Sequence, residues 1–148
     1  EPDFHVPFLY DWVGAAHKTQ ARVRQLLRDE FTDGPRGLPG NDDAGATSAW
    51  YVFATLGLYP VSPGVDEWYA IASPVFEEAV LYLNGPQRTR FTIRAEGVSP
   101  EAIHVQSATL NGQALDVPRI HHDDLVAGGT LVLRMGTEPS DWGAAICQ

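Results

Sequence analysis

The sequence predicts an α+β fold in which helices come first and an antiparallel, β-sandwich-like module follows. Two observations carry this. Apolar residues recur at helical spacing up to about residue 60 and at strand spacing after it. The second half is also punctuated by turn chemistry, above all Asn111-Gly112 within LNGQAL, the strongest short hairpin signal. The boundary falls near residues 60–66, so that residues 1–64 form the helical part and residues 65–148 the β module.

In chain order, FHVPFLYDWVG (residues 4–14) has apolar side chains on most turns, with Pro7 suited to a helix start and Gly14 to its end. KTQARVRQLLRDEF places Val23, Leu26, Leu27 and Phe31 on one face of an amphipathic helix and Arg22, Arg24, Arg28 and Asp29 on the others. SAWYVFATLG is a third helix, apolar nearly all round, with Gly57 as its C-cap. A helix of that kind wants neighbours on every side, more than the other two helices supply. After YPVSPG come five strand-like runs: WYAIA, AVLYL, RFTIRA, IHVQSATL and TLVLRM. In RFTIRA, Phe91 and Ile93 share one face, while Arg90, Thr92 and Arg94 share the other. LVAGG reads as a short helical turn with a glycine stop, between two strands.

Composition narrows the function classes. The chain has 148 residues, 44% hydrophobic and 20% charged, a globular composition large enough for a real core. Its formal net charge of −9 argues against nucleic acid or an anionic membrane as partner, since both attract clustered Lys and Arg. No apolar stretch approaches the length of a membrane span. The one cysteine, Cys147, excludes an internal disulfide framework. The opening on Glu1-Pro2, without an initiator Met, suggests a processed chain or a piece of a longer one.

Two stretches could carry chemistry. GLPGNDDAG (residues 37–45) sets Asp42 and Asp43 on a glycine-rich elbow directly ahead of the apolar helix. On residue types alone two readings stay open. Asp43 or Thr47 caps the helix, whose dipole favours acids there. Alternatively the glycines let backbone and ligand approach closely, and the diverging carboxylates divide the tasks of activating a water and holding a sugar hydroxyl or a cation. An EF-hand is ruled out by the spacing of the acids. The second stretch, His121-His122-Asp123-Asp124, looks like a metal site, but adjacent histidines diverge, and a capped turn explains it better. There is no phosphate loop, G-x-S-x-G or C-x-x-C.

Longer strings point further. EPDFHVPFLYDWVG, KTQARVRQLL and GLPGNDDAG followed by SAWYVFATLGLYPVSPG resemble the C-terminal part of the glycoside hydrolase family 92 α-mannosidases, and the resemblance continues through ASPVFEEAVLYL, SATLNGQALDVP and HHDDLVAGGTLVLRMG. It implies an inverting, calcium-dependent exo-α-mannosidase acting on α-linked mannosides, α-1,2-linked N-glycan mannose above all. It also implies that residues 1–64 belong to an (α/α)6 toroid. On this resemblance Asp43 is the general base, with Asp42 beside it. Asn41 is a sugar contact, and Asn41 and Asp42 lie close to calcium. Glu1 and His5 fall in a stretch at the active-site rim, and are expected to touch substrate. The general acid and an N-terminal sandwich lie upstream in the family. The chain is therefore expected to be a C-terminal fragment, inactive alone, with the upstream part of the same enzyme as its partner and a secreted, periplasmic or cell-surface parent. Self-association is a second way to cover its helical face. A stand-alone carbohydrate-binding or oligomerisation module is the alternative, with Trp68, Tyr69 and Tyr82 as its platform.

Overall fold

The computed structural model describes residues 3–65, 67–83 and 89–145. It opens with a 3-10 helix, Val6–Val13, begun by Pro7 in its first turn and closed at Gly14 in the left-handed conformation, φ 67°. Helix α1, Ala16–Asp29, follows. Its buried face runs through Ala16, Thr19, Gln20 and Val23, so it begins further upstream, and in more polar residues, than the Val23–Leu26–Leu27 stripe suggests. Gln20 Oε1 accepts from the buried amide of Val105 at 3.1 Å. Arg24, expected on an outward face, is half-buried instead. It donates to the carbonyls of Pro74 at 2.7 Å and Ser99 at 3.0 Å.

Helix α2, Ala46–Leu56, buries Trp50 and Ala54 and leaves Tyr51 and Val52 exposed. Gly57 ends it for two reasons. Its φ is 75°, and a Cβ there would stand 2.6 Å from Pro74 Cγ.

Among the described residues, eight strands form two sheets. β1 (Leu58–Pro60), β2 (Trp68–Ile71) and β7 (Arg119–His121) make an antiparallel sheet in the order β1-β2-β7. The other sheet has the order β3-β4-β8-β5-β6, from β3 (Glu78–Tyr82), β4 (Arg90–Glu96), β5 (His104–Leu110), β6 (Gln113–Ala114) and β8 (Gly129–Gly136). One pairing corrects the expected all-antiparallel module: β4 and β8 run parallel, from Phe91 beside Gly129 to Glu96 beside Arg134. The chain between them passes through β5, β6, β7 and the short helix α3, His122–Ala127, and a crossover of that length lets a strand return in the same direction. The Asn111-Gly112 turn does join β5 to β6, with φ of 51° and 80°.

Side chains from both sheets share one core, including Ile71 and Ile120 from the first and Phe91, Ile93, Leu131 and Leu133 from the second. A second core gathers Phe8, Val23, Trp50 and Ala54 from the helices with Ala70 and Ala72. In β4 the expected alternation holds for Phe91 and Ile93, but Thr92 is buried too.

Candidate active site

The elbow is built by backbone geometry that few sequences tolerate. Asp43, Ala44 and Gly45 all have positive φ, at 50°, 58° and 96°. For the two non-glycine residues this left-handed conformation is strained. It wraps the chain back so that the Asp42 carbonyl accepts from the amides of both Gly45 and Thr47, each at 3.1 Å. The Thr47 hydroxyl donates to the Asn41 carbonyl at 2.9 Å and ties the elbow's entry to its exit.

The two carboxylates are used differently. Asp42 Oδ1 accepts from the amide of Ser48 at 2.8 Å, which satisfies a free donor in the first turn of α2. The cap is thus Asp42, reaching from outside the N-cap position, and neither Asp43 nor Thr47 supplies it; Gly45 occupies that position and has no side chain to offer. Asp43 is exposed, and its carboxylate has no hydrogen-bond partner among the described residues. Both acids stand at the N-terminal, positive end of α2.

Beside the elbow lies a groove of about 530 Å³. The 3-10 helix and its approach contribute Phe4, Val6 and Tyr10, and Pro39, Thr47 and Trp50 close the other side. The Trp50 indole donates to the Phe4 carbonyl at 2.9 Å and fixes the N-terminal segment against α2. His5 is exposed at the start of the 3-10 helix, where its carbonyl accepts from Phe8 at 3.0 Å. The structure therefore brings the segment carrying His5 to the groove that the elbow borders. Asp42 and Asp43 do not line it. Asn41 is exposed, with its carbonyl held by Thr47. Glu1, also expected as a sugar contact, lies outside the described residues.

The histidine-rich stretch is a capped turn. His121 Nδ1 accepts from the amide of Asp123 at 3.2 Å, at the start of α3. No group of three or more His, Cys, Asp or Glu side chains is arranged to hold a metal among the described residues. Trp68 and Tyr69 sit together on β2, but Tyr82 is on β3 of the other sheet, so the expected aromatic platform is not one surface.

One unforeseen group is Asp11. It is 4% exposed, and neither carboxylate oxygen has a hydrogen-bond partner among the described residues. Burial pushes its pKa up to about 8; the nearby Thr19 hydroxyl pulls it partly back, without a hydrogen bond of ordinary geometry. A carboxylate set in the apolar run FLYDWV was the available signal.

Residues 1–137 match the glycosyl hydrolase family 92 catalytic domain. A protein of Arthroderma benhamiae described as an uncharacterized secreted glycosidase is 36% identical over 145 residues, covering 97% of this chain and 18% of that protein. An inverting mannosidase of family 92 from Bacteroides thetaiotaomicron superposes with a TM-score of 0.88 at 37% identity, over 96% of this chain and 19% of that one. A family 92 α-mannosidase of the same organism, in complex with mannoimidazole, gives a TM-score of 0.90 at 31% identity, over 97% and 19%. The chain spans about a fifth of the length of these relatives.

Proposed function

The chain belongs to glycoside hydrolase family 92, and on that premise we propose that it carries the water-activating elbow of an inverting exo-α-mannosidase. The observation that carries this is the unequal use of the two carboxylates. Asp42 gives one oxygen, Oδ1, to the end of α2 and keeps the other, while both oxygens of the Asp43 carboxylate stand without a partner among the described residues. A general base needs an unoccupied oxygen within reach of its water. Asp43 is therefore the base and Asp42 its support.

In this mechanism the Asp43 carboxylate takes a proton from a water that attacks the anomeric carbon of a terminal α-mannosyl unit. The water oxygen bonds to that carbon on the face opposite the leaving group. The glycosidic bond breaks, and its electron pair is protonated by a general acid. An inverting pair stands roughly 6.5–9.5 Å apart to admit the water. The acid is supplied by the rest of a longer enzyme, whose remaining helices complete an (α/α)6 toroid around residues 1–64. His5 and Asn41 contact the sugar from the rim. The substrate is an α-linked mannoside, of the α-1,2-linked N-glycan type.

Asn41 and Asp42 also suit calcium, since both offer the hard oxygen donors that this ion takes. Among the described residues no larger cluster of ligands stands beside them. They would supply part of a shell that needs roughly six to eight oxygens, the others coming from outside this chain. When bound, the ion supplies electrostatic contact to mannose hydroxyls. The likeness to a relative described as secreted supports an enzyme working outside the cytoplasm.

The test is the stereochemistry of the first product. Proton NMR of the complete enzyme on α-1,2-mannobiose is expected to show β-mannose first, with the α-anomer appearing only by mutarotation. Initial release of α-mannose, or no turnover of any α-mannoside, would overturn the proposal.

A further inference from the structure

A second cleft, of about 790 Å³, opens beyond the other end of α2. Phe53 of α2, Trp68 and Tyr69 of β2 and the adjoining Glu67, His121 and His122 line it together. The elbow precedes the first residue of α2, and the cleft takes Phe53 near its last turn. Eleven helical residues, at about 1.5 Å each, make the helix about 16 Å long. The two sites are therefore distinct.

The polar groups of this cleft are ordered and point to one kind of ligand. His121 Nδ1 accepts from the Asp123 amide, so the ring proton sits on Nε2 and is donated to Glu67 Oε2 at 3.1 Å. That leaves Glu67 Oε1 as a spare acceptor on a largely exposed side chain. The Tyr69 hydroxyl meets His122 Nδ1 at 3.1 Å, which leaves His122 Nε2 open. The rings of Tyr69 and His122 lie nearly parallel, at 21° and 6.0 Å between centroids. The Trp68 indole is held by the Arg119 guanidinium, 4.5 Å from its ring centroid. A carboxylate oxygen, an imidazole nitrogen and a tyrosine hydroxyl thus line the same cleft as the Phe53, Trp68 and Tyr69 rings.

Among the described lining residues there is no lysine or arginine, the nearby Arg119 guanidinium is taken up by the Trp68 ring, and Asp123 and Asp124 lie close by in α3. An anionic ligand is disfavoured. Among the described residues, Glu67 and the two histidines form no metal cluster. What remains is a neutral molecule with adjacent hydroxyls on one side and C–H faces on the other, and a volume of this size accommodates it. We propose that this cleft is a carbohydrate-binding subsite separate from the elbow, taking a neutral hexose unit of a glycan. It does not depend on the role given to Asp43.

The test is titration of the chain with methyl α-mannoside and with α-1,2-mannobiose, followed by NMR of the tryptophan indole and histidine ring signals. Saturable shifts at Trp68 and His122 are expected. The isosteric changes Glu67→Gln and Tyr69→Phe are expected to weaken binding about tenfold each, as the loss of one hydrogen bond does. Asp43→Asn is expected to leave it unchanged, and melting curves establish that each variant is folded. Shifts confined to the elbow and abolished by Asp43→Asn would overturn the proposal. So would the absence of any saturable shift at about 100 mM sugar, far above a millimolar dissociation constant.

Discussion

Replacing Asp11 by Asn should stabilise the chain at pH 8 and leave it almost unchanged near pH 4. Asp11 is buried without a hydrogen-bond partner among the described residues, and burial raises its pKa from 3.8 to about 8. Between those values the folded protein keeps the proton and the unfolded chain does not. The stability held by the neutral acid is thus full below pH 3.8 and is lost as pH rises through 8. Stability falls with pH wherever the native state binds more protons, by about 1.36 kcal/mol per unit for one group. At pH 7, some three units above 3.8, the cost of this one carboxyl reaches about 4 kcal/mol, an upper bound because relaxation and entering water reduce it. Asparagine fills nearly the same volume and does not titrate. Urea unfolding of both proteins at pH 4.5, 6, 7 and 8, followed by tryptophan fluorescence, reads the difference directly, and the other acids cancel in the comparison. A stability gap that opens steadily with pH is expected. A gap independent of pH would refute this reasoning.

Other consequences follow from the elbow and from α1. Asp42→Ala removes the bond to Ser48 and should cost about 1 kcal/mol, with faster hydrogen exchange at the Ser48 amide. Asp43→Ala should leave that exchange unchanged. Ala44→Gly relieves a residue at φ 58° and should raise the unfolding free energy by a net of about 0.5–1 kcal/mol once glycine's greater freedom in the unfolded chain is subtracted, seen as a higher melting temperature. Gln20→Met orphans the Val105 amide, beside the bulge where β5 shifts register against β8 between Val105 and Ser107. The expected loss is about 1–2 kcal/mol, because the change also removes the unpartnered buried Gln20 Nε2. Denaturant titration checks it.

Local patterns were legible in the sequence, and long-range choices were not. Pro7, Gly14, Gly57 and Asn111-Gly112 act through their own backbone preferences, so they marked element ends wherever the rest of the chain lay. The direction of β8 beside β4 depends on the path of more than thirty intervening residues, which strand periodicity does not encode. Arg24 and Gln20 look like surface residues of an amphipathic helix until the β half arrives to bond them. The elbow divides in the same way. Its glycines announced an unusual turn, but the choice of Asp42 over Asp43 as the cap follows from positive φ at Asp43 and Ala44, which residue type disfavours.

The central claim is that Asp43 activates the attacking water, and steady-state kinetics of Asp43→Asn in the complete enzyme tests it most directly. On an α-mannoside, kcat should fall by about 10²–10⁴, the usual contribution of a general base, while KM changes little and the variant stays folded. An unchanged kcat would contradict the account and return Asp43 to a residue of the turn alone.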